Sequence, residues 1–284
     1  MTSAMPSWAR ADHGPAENPA ARVTGVPDQS GLAMSKSAKP AAKVDTLMTL
    51  AGRALAETHY FECIHAALEA LELCHAQRDY ERMARILLPL QEARRQVRLQ
   101  AIDAGRLTIM GEMPGEGETI EAGCYLIEPP LVGADAREIR DRAAREEIPV
   151  MVLAREPAVK AVKLDRRPGD WPVVMIGPVT VRTYVRPPEN GEVSLEWFIE
   201  AGEALGDRAI ADVDSGVDAF ARVDELFERL HTVTDHEKLH QALEAACREA
   251  VIEAAKPQPR RSKGLPRPED MLEADEAGLE AEEE

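Results

Sequence analysis

The sharpest chemical signal in the chain is His236-Glu237-Lys238-Leu239-His240. It matches the short H-E-x-x-H pattern, in which two imidazoles four residues apart on one helix face grip a zinc ion. The glutamate then acts as base toward the metal-bound water. The surroundings pull the other way. Thr234 or Asp235 is a natural N-cap, which puts His236 in the first helical turn, and Lys238 brings a cation close to where a dication would sit. In the extended form of the pattern a glycine and a third histidine follow, but Leu243 and Ala246 occupy those positions. His231 precedes the helix and Glu244 lies two turns along it, so neither completes a tetrahedral set. The plainer account is two histidines flanking an apolar stripe through Leu243 and Cys247, with Glu237 favoured by the helix dipole. The expectation is therefore no metal and no catalytic residue, and a zinc hydrolase using His236, His240 and Glu237 stands as the alternative.

A second candidate is the loop Pro129-Pro130-Leu131-Val132-Gly133-Ala134-Asp135, between an apolar run and a polar helix. In α/β sheets ligands gather beyond the strand C-termini, facing helix N-terminal amides. Gly133, Asp135 and Arg155 would then hold a small anionic ligand, with Glu156 beside them. The plainer account makes Asp135 a helix cap and the proline pair a stiff turn. Gly111 to Gly117 is glycine-rich, but glutamates sit between the glycines and no Lys-Ser/Thr follows, so it is an ordinary loop. Arg94, Arg95, Arg98 and Arg106 could form a basic patch for an acidic partner, or complement a helix C-terminus. No Gly-x-Ser-x-Gly elbow occurs. Cys63, Cys74, Cys124 and Cys247 form no Cys-x-x-Cys pair and read as buried thiols.

Composition narrows the classes further. The 284 residues carry 34 Lys+Arg against 51 Asp+Glu, a formal charge of −17. A general nucleic-acid binder needs a basic surface, so that class is not expected. No apolar run approaches a membrane span, and the first residues lack the apolar stretch of a secretory signal, so a cytoplasmic protein is expected.

The elements that must position these residues follow from periodicity. Residues 1–42 are rich in Pro, Ala, Ser and Gly and read as a disordered leader; 257–284 end in a block with nine acidic residues and read as a disordered acidic tail. Across 43–105 apolar residues recur every three and four: Leu47, Leu50, Ala51 and Ala54, then Ile64, Ala67, Leu68, Leu71 and Cys74, then Met83, Ile86, Leu87, Leu90 and Val97. Breaks fall at Thr58-His59 and at Arg78-Asp79, and Pro89 should kink or split the third helix. In 106–190 short runs bounded by Pro and Gly predict a small mixed sheet: Leu107–Met110, Cys124–Ile127, Val150–Ala154, Val162–Leu164, Val173–Ile176 and Val179–Val185. One polar helix crosses between the second and third of these. Helices return over 191–256. The class is α+β, with N-terminal antiparallel helical hairpins, a small mixed sheet and C-terminal helices packing on it.

The pattern Leu50-Ala51-Ala54, Tyr60, Ala66-Ala67-Leu68, Ala70-Leu71 and Asp79-Tyr80 resembles the tetratricopeptide class of helical hairpins over residues 44–104. The resemblance implies a helical surface that grips a protein partner, and hence a non-catalytic interaction or scaffold protein. Repeats of this kind need about three units to cover their faces. One to one-and-a-half are present, so these helices must lean on something else. A small-ligand-binding α/β domain is the remaining alternative.

Overall fold

Three helices open the fold, and local chemistry explains where each stops. They are α1 (Met34–Ala56), α2 (Tyr60–Gln77) and α3 (Tyr80–Asp103). The computed structural model describes residues 34–115, 117–157, 167 and 169–257, with side chains from Ala41 onward. The chain divides into two compact units, Met1–Pro40 and Ala41–Glu284, and the second carries the fold. The turns fall at the expected breaks, with Thr58 (φ 63°) and Arg78 (φ 55°) in the left-handed conformation that ends a helix. Asp79 then caps α3, its carboxylate accepting from the Arg82 amide at 3.1 Å.

Two expectations for this region change. The leader does not reach residue 42, because α1 already begins at Met34; residues 1–33 lie outside the described residues, as does the tail from 258. Of the kink or split expected at Pro89, the split does not occur, since α3 continues across it as one helix. A proline costs a helix about 3 kcal/mol when packing does not compensate. Here α2 and α7 (Glu237–Ala254) both pack along α3, and the Cys63 thiol of α2 donates to the Pro89 carbonyl at 3.7 Å.

The sheet has five strands in chain order: β1 (Leu107–Met110), β2 (Gly123–Ile127), β3 (Val150–Arg155), β4 (Trp171–Ile176) and β5 (Thr180–Val185). β1, β2 and β3 are parallel, whereas β4 pairs antiparallel with β3 and β5 antiparallel with β4, so the sheet is mixed as expected. The run at Val162–Leu164 lies outside the described residues. Helix α4 (Gly133–Arg145) makes the crossover from β2 to β3. It approaches one face so closely that a Cβ on Gly133 would sit 2.9 Å from the Ile176 side chain and 3.3 Å from that of Val174. Helix α5 (Leu195–Ala211) lies on the opposite face, with Gly202 against Met151 and Leu153. With both faces covered, β2 is buried at every residue, and this explains its unbroken apolar run.

Helix α6 (Ala219–Thr232) packs against α7, which in turn packs on α3 and α5. The helical, sheet and C-terminal regions therefore share one continuous core, from Val44 to Ala250. Of the opening helices, α3 packs on α7 and on β2 and β3 of the sheet.

Two glycines make the packing testable. A Cβ on buried Gly206 of α5 would land inside the imidazole of His236, whereas one on Gly52 of α1 meets nothing within 4 Å. The better helix propensity of alanine is worth up to about 1 kcal/mol, and overpacking costs about 1–3 kcal/mol. Gly206→Ala should therefore lower stability by about 1–2 kcal/mol, while Gly52→Ala raises it by about 0.5–1 kcal/mol. Urea midpoints of the two variants check both signs.

Candidate functional site

The two histidines of the H-E-x-x-H pattern are buried and turned to different partners. His236 is the N-cap of α7, one residue beyond the expected Asp235 cap, and is 2% exposed. Its Nε2 lies 3.4 Å from Glu203 Oε2 and 3.3 Å from Asp207 Oδ1, both on α5. His240 is 1% exposed, with Nε2 at 3.1 Å from Arg94 Nη1 and Nδ1 at 3.0 Å from the His236 carbonyl oxygen. These neighbours settle the tautomer. A guanidinium only donates and a carbonyl only accepts, so Nε2 holds the lone pair and Nδ1 the proton.

That arrangement uses the one lone pair His240 could offer a metal. Glu237 accepts from Gln91 Nε2 at 3.0 Å, and the Lys238 ammonium donates to Asp207 Oδ1 at 2.9 Å. Among the described residues no three His, Cys, Asp or Glu side chains converge as a metal centre requires. His240 and Glu237 are thus each engaged by other groups of the protein.

The residues of the alternative ligand loop also make structural contacts. Asp135 accepts from the Val132 amide at 2.7 Å, closing the first turn of α4 as the third helical residue, with Val132 as the N-cap. Gly133 is needed for close approach to β4. Arg155 donates to Glu128 at 2.8 Å and lies over the Trp171 ring, 4.4 Å from its centroid. Each of the three residues thus has a structural contact of its own.

The arginine run does not form a patch. Arg95 pairs with Glu92 on its own helix, Arg98 with Glu203 at 2.6 Å, and Arg106 with Glu121. Arg94 differs from all of these. It is 6% exposed, and among the described residues no carboxylate lies within ion-pair distance of it. Burial pulls its guanidinium down to about 10; the charge of Asp235 opposes that pull and Arg140 adds to it. A guanidinium has five donor hydrogens, and His240 takes one.

Arg94 lines a cleft of about 240 Å³. Phe61, Ile64 and Leu68 of α2 form an apolar wall with Val97 of α3, and Ile148 and Val150 continue it at the start of β3. The polar end holds Arg94, Arg140 and Asp141, together with His231, Thr234 and Asp235 from the α6–α7 connection. Arg140 is engaged by the Thr232 carbonyl at 2.7 Å and by Asp141 at 3.6 Å. Among the described residues the Asp235 carboxylate accepts only the Thr234 hydroxyl, at 2.8 Å on Oδ1. The cleft therefore joins an apolar wall to a cation and an anion, each short of a charged contact.

Two sequence signals pointed here. On α2 the fully buried stripe is Cys63, Ala67, Ala70, Leu71 and Cys74, so Phe61, Ile64 and Leu68 make the apolar surface wider than packing requires. On α3, Arg94 occupies a position in the apolar progression Met83, Leu87, Leu90, Val97, where a charged side chain is out of place. The four cysteines are free and buried as expected; burial raises their thiols to about 11, and that of Cys247 to about 12. No helix among the described residues is long and apolar enough to cross a membrane. Site and fold together define an α+β protein with an amphipathic internal cleft. No protein-family model matches the chain, and neither does any curated protein or solved structure.

The buried histidines set an acid limit. Burial, reinforced by Arg94, pushes His240 down to about 3 and His231 to about 4, and burial also lowers His236 against the pull of Glu203 and Asp207. Unfolded, each imidazole titrates near 6.5, so between roughly pH 6.5 and 3 the unfolded chain binds more protons and stability falls as pH drops. Each such proton contributes a slope of up to about 1.4 kcal/mol per pH unit. Urea unfolding from pH 7 to 4 should show the decline starting above the carboxylate range. His240→Gln should reduce its slope by about one proton.

Proposed function

We propose that this chain is a non-catalytic binding protein, and that the cleft walled by α2, α3 and α4 is where it holds a small ligand. One observation carries the reading: the buried Arg94 guanidinium, without a carboxylate in contact, faces a cleft whose opposite wall is apolar. Ligand sites combine a mostly apolar lining with a few placed polar groups, and this cleft has that character. Its volume of about 240 Å³ lies below the ~300–1,000 Å³ of drug-sized sites, which favours a compact ligand. The proton-transfer groups of the H-E-x-x-H run are engaged elsewhere and do not line the cleft, which favours recognition over catalysis by that run. His240 has both ring nitrogens in hydrogen bonds, and Glu237 is held by Gln91.

A thermal-stability panel of small metabolites tests this reading. A ligand at 100 times its Kd should stabilise the folded protein by about 2.7 kcal/mol. Ala144→Trp, which fills the cleft from α4, should abolish that gain while circular dichroism stays unchanged. A flat panel with the unaltered protein, or equal gains in both proteins, would refute it.

A protein-interaction scaffold is the second reading, favoured by large apolar side chains in solvent: Leu88 of α3 is 73% exposed and Ile252 of α7 is 64% exposed. It expects Leu88→Glu to weaken binding to a purified partner at unchanged thermal midpoint. Undiminished binding would count against that surface.

A further inference from the structure

Within the cleft reading, on which this rests, the charges of the lining specify a ligand class. Arg94 offers unused N–H donors in a planar fork, the geometry that suits a carboxylate. Asp235, half-buried in the same cleft, has its Oδ2 without a partner among the described residues. The other charged pair of the lining, Arg140 and Asp141, is already mutual. His231 is held against Phe227, with ring centroids 4.6 Å apart, and His65 is exposed at the rim.

A simple anion would satisfy Arg94 but would face the Asp235 carboxylate in the same cleft. A simple cation would meet the converse difficulty. The chain's formal charge of −17 adds a long-range field that disfavours anions. A zwitterion avoids both problems, and the apolar wall of Phe61, Ile64, Leu68, Val97, Ile148 and Val150 accounts for the rest of the molecule. We infer that the cleft binds a free α-amino acid with an apolar side chain, its carboxylate on Arg94, its ammonium on Asp235 and its side chain against the α2 wall.

Titration calorimetry of the full chain with L-leucine, L-isoleucine, L-valine and L-phenylalanine tests the assignment, alongside three leucine analogues. Leucinamide lacks the carboxylate, N-acetyl-leucine lacks the ammonium, and 4-methylpentanoate lacks the amino group altogether. At least one of the amino acids should bind, and leucine should bind at least about tenfold more tightly than each analogue, since each analogue forfeits a charge-assisted contact. Asp235→Asn, at a half-exposed site that tolerates an amide, should weaken leucine about tenfold and leave 4-methylpentanoate unchanged or improved. Arg94→Gln should weaken leucine and 4-methylpentanoate alike, with circular dichroism confirming the fold. If 4-methylpentanoate binds as tightly as leucine, or if Asp235→Asn leaves leucine affinity intact, the ammonium assignment fails and the cleft reading survives. If no amino acid binds while another class in the metabolite panel stabilises the protein through the same cleft, the inference is overturned and the cleft reading again survives. A flat panel together with no amino-acid binding overturns both.

Discussion

A charged guanidinium held in the interior by a neutral imidazole is the constraint around which this fold is arranged. Arg94 on α3 and His240 on α7 meet at 3.1 Å with almost no solvent contact, and Nδ1 of the same ring is tied to the His236 carbonyl at 3.0 Å. Removing a cation from water costs several kcal/mol unless its hydrogen bonds are replaced. The neutral ring replaces one of them and brings no counter-charge. The contact thereby clamps α3 to α7, fixes the tautomer of the ring, and leaves a cation with further donors among the residues that line the cleft.

The neighbouring histidine extends the same logic to α5. His236 begins α7 and is wedged above Gly206, where no larger residue fits, with Glu203 and Asp207 within 3.4 Å. Arg98 of α3 reaches Glu203 at 2.6 Å, so α3, α5 and α7 are joined at one place by charges and rings. The Thr234–Asp235 connection that supplies the polar end of the cleft hangs from this junction. The Arg98 guanidinium donates to the Asp235 carbonyl at 3.4 Å, which ties this turn to α3.

Periodicity along the chain anticipated most of the elements, because helix and strand formation depend on local side-chain patterns. The breaks at Thr58-His59 and Arg78-Asp79, the Asp79 cap, the crossover helix between Tyr125 and Leu153, and the hairpin at Gly177 all arise from short-range chemistry. Pro89 departs from that pattern: its local cost is real, but packing from α2 and α7 outweighs it. The H-E-x-x-H spacing has a related limit. Spacing states that two rings can share a helix face, but the proton and lone pair of each ring are assigned by whatever packs against them. For His240 that neighbour is Arg94, 146 residues away in the chain.

The amino-acid order alone established an α+β protein in which helices flank a small mixed sheet, with buried thiols and no membrane-crossing helix among the described residues. It also placed an arginine in the apolar stripe of α3 and surplus apolar residues on α2, although neither oddity declares its purpose locally. Their convergence with Asp235 in one cleft depends on how α2, α3, α4 and the α6–α7 turn dock. That docking comes from burial and long-range electrostatics, which act between residues far apart along the chain and leave no periodic trace in it.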